Sequence, residues 1–216
     1  MTASSSIVPD RIVASGWPLH VVGDDELDLD AAARAVFDLL VALGQDPHSD
    51  DLVDTPRRVA SALAEALTPT PFTMTTFAND GEYDELVFMR DIPFESLCAH
   101  HLLPFTGMAH VAYLPGERVV GLSKLARVVA HFSRRLQTQE RLTAQIADAL
   151  QEALDASVVG VAMEATHMCM AVRGVRANPT THTTATRGLA RDDPAMRAEL
   201  LQVLRGADAR RPLAIG

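Results

Sequence analysis

Two cysteines far apart in the chain, each beside histidines, place the strongest constraint on how this sequence can fold. The first sits in Phe94-Glu95-Ser96-Leu97-Cys98-Ala99-His100-His101-Leu102-Leu103-Pro104-Phe105, the second in Glu164-Ala165-Thr166-His167-Met168-Cys169-Met170. Cys98-x-x-His101 together with Cys169 supplies three thiolate and imidazole ligands, a set that suits zinc. Structural zinc sites close with four protein ligands, whereas catalytic sites hold three and keep one position for water. Three ligands are evident here, so the spacing favours an open site.

The hydrophobic pattern says what kind of fold carries that constraint. Residues up to about Leu27 are polar and aperiodic and read as a flexible arm that contains Trp17. From Asp28 a helix is expected, with Ala33, Val36, Phe37, Leu40 and Val41 at three-and-four spacing and Gly44 just past its end. Gln45 to Asp54 is a polar loop. Thr55 as N-cap and Pro56 at the first helical position open a second helix, with Val59, Leu63 and Leu67 on its apolar face. Thr68 to Thr76 reads as a loop. Leu86 to Ile92 reads as a strand running into the cysteine motif, and Thr106 to Leu114 as a paired strand ending at Pro115-Gly116. Ser123 is expected to cap a helix that buries Leu125, Val128, Val129 and Phe132. A second runs from about Thr138 to Leu154 with Leu142, Ile146, Leu150 and Leu154 in register. Val158–Val172 and Thr180–Arg187 are strand candidates, and a last helix spans about Pro194 to Leu204. Strands, then two helices, then strands give an α+β plan, with an antiparallel sheet covered on one side.

Composition narrows the function classes. A formal charge of -9 argues against general nucleic-acid binding. No apolar run approaches the roughly 18 to 20 residues that span a membrane. The N-terminus shows no basic region followed by an apolar core, so a cytoplasmic, reducing setting with free thiolates is expected.

If Val158–Val172 stays a regular strand, His167, Cys169 and Arg173 share one face. That would gather a base, a ligand and a cation. Taken alone, such a strand is as well explained by an incidental histidine and a core cysteine; beside Cys98-x-x-His101 the ligand reading gains. His100 diverges from His101, so it is either a proton donor or acceptor beside the metal or a surface histidine. His20, His48, His110 and His131 have no evident partner. Arg58, Lys124, Arg127, Arg141 and Arg173 are cations suited to phosphate oxygens, with Lys124 and Arg127 placed on the first turn of a helix whose N-terminus favours anions.

The chain resembles the GTP cyclohydrolase I family. The resemblance rests on Cys98-Ala99-His100-His101, Gly121-Leu122-Ser123-Lys124-Leu125-Ala126-Arg127, Gln139-Glu140-Arg141-Leu142-Thr143, Glu164-Ala165-Thr166-His167-Met168-Cys169-Met170 with Arg173-Gly174, and Thr55-Pro56-Arg57-Arg58. It covers about Leu29 to Leu204, with the motifs in the family's order. It implies a tunnelling fold (T-fold) with an antiparallel sheet, two packed helices and an N-terminal helical region. The division implied is an arm over 1–28 and a family domain over 29–216, helical over 29–70 and T-fold over 82–205. Also implied is a toroidal homodecamer with active sites at subunit contacts. Zinc would be held by Cys98, His101 and Cys169, and water at the fourth position would have its pKa lowered from roughly 15.7 to about 7. GTP would be attacked at C8 of the guanine and its imidazole ring opened. That carbon would leave as formate, and an Amadori-type rearrangement with reclosure would give 7,8-dihydroneopterin triphosphate.

On the same resemblance His167 is the proton-transferring histidine and His100 the histidine beside the metal. Glu140 would hold the guanine edge, with Gln139 assisting. Ser123, Lys124, Arg127, Arg173 and Arg58, the last from a neighbouring subunit, would hold ribose and triphosphate. Three positions depart from the family pattern. Ala99 replaces the glutamate of C-E-H-H, Ala171 stands where some members carry lysine, and His182 interrupts a threonine-serine run. Loss of a carboxylate beside a metal costs roughly 10- to 100-fold where it orients a ligand. Two readings follow: an active enzyme, including one specialised for a deazapurine or other secondary pathway, and a catalytically altered or inactive GTP-binding paralogue. A three-histidine zinc set, as in the six-carbon pterin synthases of this fold, is disfavoured by the two cysteines.

Overall fold

The structure is a computed structural model and describes residues 27–205. Most of the expected arm, with Trp17 and His20, lies outside those residues. Two compact units divide the described chain, one ending at Thr68 and the other starting at Pro69.

The first unit is a helix pair. Helix α1 spans Leu29–Ala42, and its N-cap Asp28 accepts from the Ala31 amide at 2.7 Å. Gly44, at φ +73°, ends it in the left-handed conformation that glycine adopts without strain. Helix α2 spans Thr55–Leu67; its N-cap is Asp54, so Thr55 is a helical residue and not the cap expected for it. The two helices pack through Val36, Phe37, Leu40 and Leu63, which are half-buried, while Leu39, Val41, Leu43, Val53 and Val59 stay exposed.

The second unit is built on a five-stranded sheet of order β5-β2-β3-β6-β7. Strand β1 (Thr76–Ala78) stands apart from it, paired with β4 (Arg118–Val120). Strand β2 runs Val87–Cys98, β3 Pro104–Leu114, β6 Val158–His167 and β7 Thr180–Gly188, each antiparallel to its neighbour. The two-residue β5 (Leu136–Gln137) adds a parallel edge beside Leu97 and Cys98. Helix α3 (Leu122–Ser133) and helix α4 (Gln139–Leu154) cover one face. They bury Leu125, Val128, Val129, Phe132, Leu142, Ile146 and Leu150 against Phe105, Val111, Val161 and Met163. The N-cap of α3 is Gly121, two residues ahead of the serine expected there.

Two features differ from the sequence reading for physical reasons. First, β6 ends at His167 and the chain turns into the short helix α5 (Met168–Ala171), so the two-residue alternation that would align His167 with Cys169 stops there. Second, the sheet's other face is partly covered. After a 3-10 turn (Leu189–Arg191), helix α6 (Pro194–Arg205) sets Leu200 and Leu204 on Ala112, Val158 and Ala162. Gly160 admits Leu200, whose side chain occupies the space a Cβ would need. Among the described residues no helix is long and apolar enough to cross a membrane.

A histidine ties the entering chain to α3. His131 lies 3.3 Å from the Thr70 carbonyl through Nδ1 and accepts from Arg135 at 2.9 Å through Nε2, with Phe72 and Phe132 against its ring. Burial lowers its pKa; the Thr70 carbonyl opposes this and the Arg135 charge adds to it. The unfolded chain therefore takes up this proton at higher pH than the folded one, and stability is lost as pH falls below about 6.5. In chemical denaturation followed against pH, His131→Gln should show a shallower loss in that window than wild type. Equal slopes would mean that His131 is not buried neutral.

Gly107 of β3 faces Ala165 of β6, and a Cβ there would be driven into the Glu164 backbone carbonyl. Backbone yields less than a side chain, so Gly107→Ala should cost about 3 kcal/mol or more, at the upper end of overpacking effects. For a chain of this size that is a fall in Tm of roughly 6–12 °C, measured by calorimetry. An unchanged Tm would contradict the β3–β6 packing.

Candidate metal centre and active site

The sequence-predicted ligands converge. Cys98 is the last residue of β2 and is buried; its amide donates to the Leu103 carbonyl at 2.9 Å, closing the turn that carries His100 and His101. Ala99 donates its amide to Gln137 of β5 at 2.8 Å, which pins the turn to the sheet edge. Cys169 arrives from α5. One ligand atom each of Cys98, His101 and Cys169 lies within 4.8 Å of the others, and Cys98 Sγ is 3.8 Å from His101 Nδ1. Tetrahedral zinc, with bonds of about 2.3 Å to sulfur and about 2.0–2.1 Å to nitrogen, holds its ligand atoms roughly 3.5–3.8 Å apart. The residues fit that ion with a small contraction.

Electrostatics agree with the fit. Burial raises the pKa of Cys169, and the charge and hydrogen bond of Cys98 raise it further; a backbone hydrogen bond and Arg173 act weakly the other way. Two thiolates this close need a cation, and a divalent metal supplies it. Both cysteines are free, so no disulfide competes for their sulfurs. Arg173 Nη1 donates to His101 Nε2 at 3.0 Å. An imidazole that ligates through Nδ1 carries its proton on Nε2 and cannot accept there, so that contact and Nδ1 ligation exclude one another. His100 is exposed, with Nδ1 3.9 Å from Cys98 Sγ, beside the ligands.

His167 ends β6 and stacks on Phe105, its register partner on β3, with centroids 4.7 Å apart and planes 2° from parallel. Its Nε2 lies 2.8 Å from Gln139 Oε1. Burial pushes the imidazole below its usual pKa, while the nearby Glu140 carboxylate pulls it back up. Gln139 is the first residue of α4 and only 2% exposed; Glu140 follows it and is exposed, lining a cleft with Ala144, Thr183 and Ala185.

The expected anion-binding residues are placed less tightly. Lys124 stands on the first turn of α3, with Ser123 before it and Arg127 on the next turn instead of the first. Among the described residues no hydrogen bond or ion pair joins these three to the cysteine cluster. Arg58, in the helix pair, makes an exposed ion pair with Asp54 at 2.9 Å. Phe105 is the site residue that sequence reasoning missed. Pairing the Thr106–Leu114 strand with the Val158–Val172 strand in register would have placed it opposite His167.

Comparison with known proteins adds the following. The family model described as GTP cyclohydrolase I matches residues 32–205. A GTP cyclohydrolase 1 of Corynebacterium glutamicum is 47% identical over 189 residues, covering 84% of this chain and 95% of that protein. The Synechococcus protein of the same name is 47% identical over 206 residues, covering 93% and 89%. The human one is 46% identical over 187 residues, covering 84% and 75%.

Replacing either sulfur should empty the centre. Cys98→Ser and Cys169→Ser are each expected to lower bound zinc from one per chain to less than about a tenth after dialysis, read by elemental analysis. Full zinc retention in either variant would remove that cysteine from the ligand set.

Proposed function

The chain belongs to the GTP cyclohydrolase I family and has that enzyme activity; we propose that it converts GTP to 7,8-dihydroneopterin triphosphate and formate at the Cys98, His101 and Cys169 centre. The observation that carries this reading is the convergence of those three ligands beside His167. When bound by them, zinc supplies Lewis-acid activation of water, lowering its pKa from roughly 15.7 to about 7.

The protein's own residues do the rest. His167, held neutral by burial and flat against Phe105, takes or gives a proton at the purine as its imidazole ring opens. His100, on the exposed side of the ligand turn, is the second proton carrier. Glu140 accepts from the N–H groups of the guanine edge, and its exposure at the cleft leaves both oxygens available. Ser123, Lys124, Arg127, Arg173 and Arg58 hold ribose and triphosphate, Arg58 from a neighbouring subunit. Concentrating these cations at one mouth lets an acidic protein bind a polyanion.

A homodecamer is the proposed assembly. The exposed apolar residues of the helix pair and the open edge of β7 support it. A net charge of -9 disfavours general nucleic-acid binding. Free cysteines beside a metal site fit a reducing cytoplasm. Ala99 contributes its amide to the sheet edge, a contact any side chain would permit, so its substitution leaves the ligand turn intact. That supports turnover over the alternative of a GTP-binding paralogue without it.

GTP labelled at C8 tests the reading: zinc-loaded protein should release one labelled formate per GTP, and bound GTP with no formate would establish the inactive paralogue. The guanine contact has its own test. ITP lacks the exocyclic amine, so wild type should prefer GTP by about 100-fold or more in kcat/KM, and Glu140→Ala should reduce that preference to within about tenfold. An undiminished preference would take Glu140 away from the guanine edge.

A further inference from the structure

Gln139 has both amide hydrogens and its amide oxygen engaged inside the fold. Its amide nitrogen donates to the backbone carbonyls of Met163 at 3.1 Å and Thr181 at 2.9 Å, one on β6 and the other on β7. Carbonyls only accept, so the amide cannot be turned around: its NH2 faces the two strands and its oxygen faces His167. That oxygen can only accept, and it lies 2.8 Å from His167 Nε2. The proton of neutral His167 is therefore on Nε2, and its lone pair is on Nδ1. At 2% exposure and with both amide hydrogens taken, Gln139 has no donor to offer a ligand.

We propose that Gln139 is a positioning residue that holds His167 in its Nε2–H form, in place of the guanine contact expected for it. The inference rests on the reading of His167 as the proton-transferring group. It makes Nδ1 the one ring atom through which His167 can take a proton, because Nε2 is already protonated and faces an amide oxygen. The surrounding structure is built to keep the amide in place. Gln139 begins α4, its own carbonyl accepts from Thr143 Oγ1 at 2.7 Å, and that hydroxyl lies 2.6 Å from Thr183 Oγ1 of β7. Phe105 fixes the ring plane, and Gln139 fixes which edge of the ring carries hydrogen.

Two measurements on the zinc-loaded protein test this. Solid-state 15N NMR of histidine-labelled protein near neutral pH, with His167 assigned by difference from His167→Asn, should show the Nε2–H form. In Gln139→Met, which keeps the length of the side chain without its hydrogen bonds, the His167 signal should become a mixture of tautomers. Formate release should then show kcat lowered about 10- to 100-fold, as when the group orienting a histidine is lost. The Kd for a non-hydrolysable GTP analogue should stay within about threefold, since no substrate contact has been removed. An Nδ1–H signature in wild type, or a variant whose Kd rises while kcat holds, overturns the assignment. Wild type that shows the Nε2–H signature yet releases no formate overturns the functional reading alone.

Discussion

The site depends on the pairing of β3 with β6. Their antiparallel ladder runs without interruption from Phe105 opposite His167 to Leu114 opposite Val158. Because β2 and β3 are joined by the turn carrying Cys98 and His101, the same ladder that sets Phe105 against His167 also sets that turn beside the start of α5. A slip of one residue would turn every side chain of β6 to the other face, moving His167 to the α6 side and Met163 out of the core. Register is held from both sides: Val161 and Met163 are buried under α3 and α4, and Val158 and Ala162 under α6. The cysteine–histidine cluster and the core are thus specified by one set of contacts.

Around that ladder the polar groups divide into fixed and free. Gln139, Gln137 and Thr143 are buried, and each is bonded to the sheet or to the end of a helix. Glu140, Lys124, Arg127 and Arg173 are not buried, which leaves them accessible to a ligand. Neighbours in sequence can fall on opposite sides of this division, as Gln139 and Glu140 do at the start of α4. An amide with both hydrogens bonded inside the fold is fixed in place, whereas an exposed carboxylate beside it keeps its acceptors free.

Much of this could be read from the chain alone, and the limits have physical causes. The long helices and strands announce themselves by periodicity, as with Leu142, Ile146 and Leu150 in α4. The candidate ligand set was readable because cysteine and histidine at C-x-x-H spacing have few other uses. Strands β1, β4 and β5, of three, three and two residues, went unseen because a two-residue period needs more length to register. The break of β6 at His167 was hidden because Met168-Cys169-Met170 is as apolar as a strand. Cys169 reaches Cys98 and His101 from a helical turn and not from strand alternation. The hydrogen bonds of Gln139 were out of reach, since they run to two backbone carbonyls that no sequence pattern marks.

Cys98, His101 and Cys169 are proposed to form a three-ligand centre with one open position. X-ray absorption at the zinc edge of the loaded protein reads this directly. Two sulfurs at about 2.3 Å, two lighter atoms at about 2.0–2.1 Å and the outer scattering of a single imidazole are predicted. Two imidazoles would mean that His100, whose Nδ1 is 3.9 Å from Cys98 Sγ, closes the centre and leaves no place for water. A spectrum with fewer than two sulfurs would contradict the ligand set itself.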